Sequence, residues 1–195
     1  VIIQKAIEQM SEEKKQQITK RWISREKPAS TKKLILTEKE RQWILTHQSV
    51  VLSGDPNWPP YSFVNKQGDY VGIIPDTWAL IAQKSGLKFS FRRTASWSES
   101  LELFKKGDVL LIDAIAANKE RQKFARFSKN YLQGQFVIAT RNDSPYYNKF
   151  ELLKDKKIAT VENYISHDYL KKEHPDWQVQ SYPDVLSGLK DLSLG

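Results

Sequence analysis

Residues 50–63 read Val50-Val51-Leu52-Ser53-Gly54-Asp55-Pro56-Asn57-Trp58-Pro59-Pro60-Tyr61-Ser62-Phe63. The apolar run at the start predicts a strand, and the prolines end it, because proline lacks the ladder N–H and fixes φ. The chain must therefore leave a sheet edge here. It does so on a stiff loop that carries a carboxylate, an indole and a phenol at a strand's carboxyl end, where open α/β sheets bind their ligands. The plainer alternative is that Trp58 and Tyr61 cap a core while Asp55 forms an Asx turn before Pro56. Both readings stand at this level.

Outward from that loop, strand and helix patterns alternate. Asn65-Lys66-Gln67-Gly68-Asp69 reads as a hairpin turn returning through Tyr70-Val71-Gly72. Pro75-Asp76 opens a helix with Trp78, Leu80, Ile81 and Ala82 on its apolar side, closed by Gly86. A strand over residues 87–93, a helix over 96–104 ended by Gly107, and the run Val109-Leu110-Leu111-Ile112 follow. Residues 136–140, Phe-Val-Ile-Ala-Thr, predict a further strand. A second unit offers a strand ending near Val161, a helix around residues 164–172, a strand over 177–181 and a last helix from Pro183. Strands alternating with helices imply parallel pairing through right-handed crossovers, hence an α/β sheet.

Upstream, Ile2, Ile3, Ala6, Ile7 and Met10 stand at helical spacing, and Ser11-Glu12-Glu13 supplies a cap and acids for a second short helix. Residues 25–33 have the composition of a linker, which places a boundary near residue 30. Thr37-Glu38-Lys39-Glu40 is a capping box for a helix through Trp43, Ile44 and Leu45.

The chain has 195 residues, enough for one domain or two small lobes, and no cysteine. Disulfides, thiolate metal sites and a cysteine nucleophile are thereby excluded. No apolar run approaches the roughly 20 residues that span a bilayer. A start at Val1 without a signal-peptide pattern reads as an excised or mature fragment. The net charge of +8 is dispersed as separated pairs such as Lys32-Lys33, Arg92-Arg93 and Lys156-Lys157 among acids, which describes a solvated surface rather than a nucleic-acid footprint. His47, His167 and His174 are isolated and lack metal-ligand spacing, and neither a nucleophile elbow nor a phosphate loop occurs. Glu8, Glu12, Glu13 and Glu26 fall on helical or linker surfaces, away from the paired pocket carboxylates that acid–base catalysis needs. No enzyme, cofactor or metal is expected of this stretch.

From Leu34 onward, the order of Asp55, Trp58-Pro59-Pro60-Tyr61-Ser62-Phe63, Gly68, Gly72-Ile73-Ile74-Pro75-Asp76, Trp97, Leu101, Gly107, Glu120-Arg121, Phe127-Ser128 and Tyr131 resembles the family 3 extracellular solute-binding domain. This is the two-lobed Venus-flytrap module of polar amino acid binding proteins. The lead-in Leu36-Thr37-Glu38-Lys39-Glu40-Arg41-Gln42-Trp43-Ile44, with Val161-Glu162-Asn163-Tyr164-Ile165 and His174-Pro175, is similar to the form that sits in tandem in the periplasmic part of membrane sensor histidine kinases. The resemblance implies a type II periplasmic-binding-protein fold: lobe 1 over residues 34–140, a hinge near 140–144, and lobe 2 over 141–195, truncated before the return to lobe 1. Residues 1–33 would be a helical segment and linker, the end of a preceding flytrap domain.

The resemblance also implies a site. An arginine at the position of Arg121 grips a ligand carboxylate in relatives, since a guanidinium makes two parallel charge-assisted bonds to it; otherwise Arg121 is a surface residue at a helix start, a poor place for a cation. Asp55 matches a carboxylate for cationic ligand groups, and Trp58 an aromatic stacked on the ligand. Trp97 matches a family position too, but its place before a helix with Leu101 reads more often as core. Two departures stand out: Ala114-Ile115-Ala116-Ala117-Asn118 lacks the usual hydroxyl donors, and Asn163-Tyr164 replaces a Gly-Ser/Thr pair. The candidate ligand-binding set is Asp55, Trp58, Tyr61, Asp113, Asn118, Arg121 and Tyr164. The function implied is a periplasmic sensing domain for a small polar, amino acid-like or carboxylate solute. Its partners would be a neighbouring flytrap domain and a membrane helix of the same chain, with homodimerisation running through the parent. A transporter's solute-binding subunit and the regulatory domain of a peptidoglycan lyase are the alternatives.

Overall fold

The computed structural model describes residues 2–23, 34–47, 49–134 and 136–194. The Val50-Val51-Leu52 run forms β1 (Val50–Ser53), the centre of a parallel sheet. Its neighbours are β5 (Phe89–Phe91) on one side and β6 (Leu111–Ile112) on the other. Val50 faces Phe89, and Leu52 faces both Phe91 and Leu111. The connections run through α4 (Ile73–Ser85) and α5 (Trp97–Lys106), as alternating strand and helix patterns require.

Between β1 and α4 the proline loop folds into a small antiparallel sheet, β2 (Asn57–Trp58), β3 (Ser62–Val64) and β4 (Tyr70–Val71). The Pro59–Pro60 peptide is cis. The expected hairpin is closed by Asn65, whose Oδ1 accepts from the amides of Gln67 and Asp69, with Gly68 at φ +87°. Helix α4 begins at Ile73, two residues before the expected Pro75, because Gly72 turns the chain at φ +135°. A Cβ at that position would lie 2.4 Å from the Tyr61 carbonyl oxygen, so only glycine fits.

The main core of lobe 1 contains Leu34, Leu52, Ile74, Trp78 and Ile81, together with Ala6, Ile7 and Met10. The last three come from the N-terminal segment, where α1 (Ile2–Glu8) and α2 (Glu12–Ile23) pack on α4. Fully burying Ile74 and Ile81 contributes roughly 1.5–3 kcal/mol each. The first helices therefore share lobe 1's core. The linker expected near residue 30 lies outside the described residues. Helix α3 (Glu38–Thr46) has the expected capping box between Thr37 and Glu40. Lys5 of α1 also donates to Glu40, and this ammonium together with the Thr37 amide holds the carboxyl down at about 2.

Lobe 2 is a parallel pair, β7 (Lys157–Val161) and β8 (Gln178–Tyr182), joined through α6 (Ile165–Glu173) and flanked by α7 (Val185–Leu194). Leu153, Leu170 and Trp177 form its core. One expectation fails. Residues 136–140 form no strand, and Phe136 and Val137 are about three-quarters or more exposed, at 77% and 84%. The run has the composition of a strand but pairs with no strand among the described residues, and a ladder needs a partner for its N–H and C=O groups.

The loop after β1 is anchored from below. Ser100 Oγ donates to the Gly54 carbonyl at 2.7 Å, Ser53 Oγ to Ser100 Oγ at 2.9 Å, and Ser62 Oγ to the Asp55 carbonyl at 2.8 Å, all three serines being fully buried. Asp113, just past β6, lies against Gly54 so closely that a Cβ there would sit 2.2 Å from its Oδ1. Its main-chain carbonyl accepts from Trp78 Nε1 and the Tyr131 hydroxyl, and its Oδ2 from the Tyr70 hydroxyl. The buried Oδ1 has no hydrogen-bond partner among the described residues. Burial pushes the carboxyl up to about 7, against the Tyr70 bond that lowers it and with the Asp55 charge adding to the rise.

Two outcomes follow from this architecture. Gly72→Ala loses about 2 kcal/mol or more of unfolding free energy in urea denaturation, from the left-handed backbone and the Tyr61 clash together; an unchanged midpoint would refute the turn. A carboxyl with a raised folded-state pKa favours folding most while both states hold the proton, and it loses that contribution as pH rises from its unfolded value near 4 through about 7. Asp113→Asn therefore gains on the wild type across that window, by about 4 kcal/mol at the upper end. Denaturation curves for both proteins at pH 4, 5.5 and 7 measure the gap, and a gap that does not change with pH rules out a neutral buried carboxyl.

Candidate functional site

Asp55 forms the Asx turn that its place before Pro56 predicts: its Oδ1 accepts from the Asn57 amide at 2.8 Å. That leaves Oδ2 for a second partner. The Tyr164 hydroxyl of lobe 2 supplies it, so the loop carboxylate of one lobe holds a phenol of the other. Asp55 is only 6% exposed; burial pushes its pKa up, and the bonds from Tyr164 and the Asn57 amide oppose that rise. Burial likewise raises the Tyr164 phenol, with the Asp55 charge adding to the effect, so it stays a hydrogen-bond donor.

Aromatic rings surround this contact. Trp58 and Tyr61 lie with ring centroids 4.4 Å apart on the loop, and the Tyr164 ring stands edge-on to Trp58 at 6.3 Å and to Trp97 at 6.2 Å. Trp97 opens α5 behind the Ser96 cap and is buried, and its Nε1 donates to the Asn163 carbonyl of lobe 2 at 2.9 Å.

The same carbonyl accepts from Arg121. Far from being a surface cation, Arg121 is 4% exposed in a 3-10 turn, with its amide capped by Asn118 Oδ1 at 2.7 Å. Its Nη1 donates to the Ala116 carbonyl at 3.1 Å, and its Nη2 to the Asn163 carbonyl at 2.7 Å and to Asp168 Oδ2 at 3.1 Å. The Ala116 carbonyl, in a stretch without hydroxyl side chains at residues 114–117, thus helps orient the guanidinium.

The lobe 2 turn that reaches across is held by bonds within lobe 2 and by one to Ser98 of lobe 1. Asn163 adopts φ +59°, a left-handed backbone that asparagine tolerates. Its amide donates to His167 Nδ1 at 3.2 Å, the other ring nitrogen of His167 pairs with Ser181 Oγ at 2.8 Å, and Asn163 Nδ2 donates to Ser98 Oγ at 2.8 Å. Burial lowers the His167 pKa, which suits a neutral ring accepting at Nδ1.

Of the seven residues singled out from sequence, Asp55, Trp58, Tyr61, Arg121 and Tyr164 converge where the lobes meet. Asn118 caps the Arg121 turn, and Asp113 lies beneath the loop. The sequence reading missed Asp168 and Asn163 as partners of Arg121, and His167 as the support of their turn. The spacing of Asn163 and His167 at the start of a helix was the one linear hint. Among the described residues no group of three or more metal-ligating side chains occurs, and no helix is long and apolar enough to cross a membrane. A separate apolar groove of about 630 Å³ runs between α1, α3 and the sheet, lined by Ile3, Trp43, Val50, Leu87 and Leu110, away from these residues.

Comparison with known proteins agrees with this architecture. Over 176 residues the chain is 23% identical to the sensor protein EvgS of Escherichia coli K12, covering 90% of this chain and 14% of EvgS. It is 21% identical over 141 residues to the arginine-binding periplasmic protein of Mannheimia haemolytica, covering 72% of this chain and 57% of that one. The crystal structure of the Bordetella pertussis BvgS periplasmic domain superposes with a TM-score of 0.71 at 21% identity, over 83% of this chain and 31% of that chain. The chain thus spans only a small part of the sensor proteins it matches, and the structural likeness establishes a type II periplasmic-binding-protein fold. The model of the bacterial extracellular solute-binding proteins, family 3, matches residues 50–183, and the chain belongs to that family.

Proposed function

We propose that this chain is a periplasmic ligand-sensing domain of a transmembrane signalling protein, taking a small polar solute, amino acid-like or carboxylate, between its lobes. The observation that carries the reading is that two buried groups of lobe 1, the Arg121 guanidinium and the Asp55 carboxylate, each turn toward lobe 2 beside Trp58 and Trp97. A guanidinium and a carboxylate at one interlobe surface suit a solute with separated negative and positive ends, and the indoles supply faces for its apolar or cationic part. The sensor proteins among the relatives support the signalling role. Solute binding would shift an open–closed equilibrium, and the attached membrane helix would carry that shift. Similarity to the arginine-binding periplasmic protein favours a second reading, a transport subunit. A membrane helix and an output domain in the parent chain distinguish the sensor from it.

Thermal unfolding with a panel of amino acids and small carboxylates tests the binding claim. A solute at about 100 times its Kd stabilises by about 2.7 kcal/mol, which for a chain of this size raises Tm by about 5–10 °C. Arg121→Ala abolishes that solute-dependent rise. An equal rise in the variant removes Arg121 from the site, and a panel with no active member counts against solute sensing.

A further inference from the structure

We propose that lobe 2 supplies a built-in occupant for lobe 1's binding groups: the Tyr164 hydroxyl takes Asp55, and the Asn163 carbonyl with the Asp168 carboxylate takes Arg121, so the lobes close on each other without a solute. This rests on the reading of the interlobe surface as the solute site and goes further, since it says what a solute must displace.

The contacts reproduce, group by group, what a polar solute would offer. Arg121 Nη2 faces two oxygens, the Asn163 carbonyl at 2.7 Å and Asp168 Oδ2 at 3.1 Å, one neutral and one charged. While the lobes are closed, these two oxygens stand in for the water that the guanidinium has lost, which offsets the cost of its burial. Asp55 has both oxygens taken, one by the Asn57 amide within its own loop and one by Tyr164 from across the interface. The Tyr164 ring sits between Trp58 and Trp97, in the place where an apolar side chain would stack. The Trp97 indole N–H is satisfied by the same Asn163 carbonyl. Every one of these lobe 2 groups comes from one turn and the first helical turn after it.

That turn is braced from within lobe 2. The left-handed Asn163, the His167 ring bonded to its amide, and Ser181 behind the ring fix the carbonyl's direction from within lobe 2. A pre-set projection loses little conformational freedom on closing, which favours the intramolecular contact. The two departures from the family pattern belong together here. Replacing a small Gly-Ser/Thr pair by Asn163-Tyr164 adds the bulk and the phenol that fill the cleft. A competing solute then binds only the fraction of molecules in which Tyr164 and Asp168 have withdrawn, and its apparent affinity falls by that fraction.

The test uses the absence of native cysteine. Spin labels at Gln83→Cys on α4 and Lys190→Cys on α7, both exposed, report the lobe separation by pulsed electron paramagnetic resonance. The protein is unfolded, dialysed and refolded first, so that no carried-over solute remains. The wild-type background gives a single short-distance population in solute-free buffer. Adding Tyr164→Phe and Asp168→Asn, which remove one hydroxyl and one charge with little change of shape, lowers the closed-to-open ratio by at least about tenfold and brings up a longer-distance population. Tyr169→Phe, on the outer side of α6, leaves the distribution unchanged. Cooperative thermal unfolding of each variant confirms that it is folded. A solute-free wild type that is mainly open overturns the proposal, as does a double variant with the wild-type distance distribution. A chain that closes alone yet responds to no solute defeats only the sensing function. One that stands open until a solute stabilises it defeats only the built-in occupant.

Discussion

Asp113 sits where four parts of lobe 1 meet, and the geometry of the interlobe surface depends on it. Its carbonyl holds Trp78 of α4 and Tyr131, its carboxyl receives Tyr70 of β4, and its oxygens press against the bare Cα of Gly54 at the end of β1. Gly54 leads directly into Asp55, so the position of the loop carboxylate is set by how closely the chain can approach a buried acid. A burial this complete disfavours the charged form, and the neutral carboxyl tolerates an unpartnered oxygen that an anion would not. The serine chain from Ser53 through Ser100 to the Gly54 carbonyl fixes the same corner from the other side. Polar groups, fully enclosed, thus specify the one part of lobe 1 that must be placed accurately.

Among the described residues, lobe 1 has a three-stranded parallel sheet, a separate small antiparallel sheet and the N-terminal helices packed into its core, and lobe 2 has a parallel pair of strands with a helix between them and another beside them. Across the interface, the rigid loop of lobe 1 meets a rigid turn of lobe 2. Contacts between two stiff projections are sensitive to small rotations, because neither side bends to follow the other. This is the mechanical property that a switch between discrete arrangements requires.

Much of this was readable in the chain. The break of β1 at Gly54-Asp55-Pro56, the Asx turn, the Asn65 hairpin, the Thr37 capping box and the crossover order all follow from local rules about proline, glycine and side-chain oxygens. The convergence of Asp55, Trp58 and Arg121 came from order and spacing in the family pattern. What local rules could not supply were partners distant in sequence. Residues 136–140 have strand composition, but pairing belongs to two segments at once, and no described strand lies beside them. Met10, Ala6 and Ile7 looked like one amphipathic stripe, and nothing in the stripe says that Ile74 and Ile81 cover it. Asp168 reads as an ordinary acid in a helix's first turn until the fold brings Arg121, 47 residues earlier, to within 3.1 Å.

The Asn163 carbonyl accepts from both Arg121 and Trp97, and it is a main-chain atom. Side-chain truncation at position 163 leaves that oxygen in the polypeptide, and alters it only indirectly, through the backbone angle that asparagine permits. An alanine scan of lobe 2 would therefore under-read this position, assigning its contribution to Arg121 and Trp97 on the opposite lobe. Comparison of residue identities among relatives is blind to it in the same way, since every amino acid brings the same carbonyl. What must be inherited here is a turn shape, and different residues can preserve it as long as they accept a positive φ.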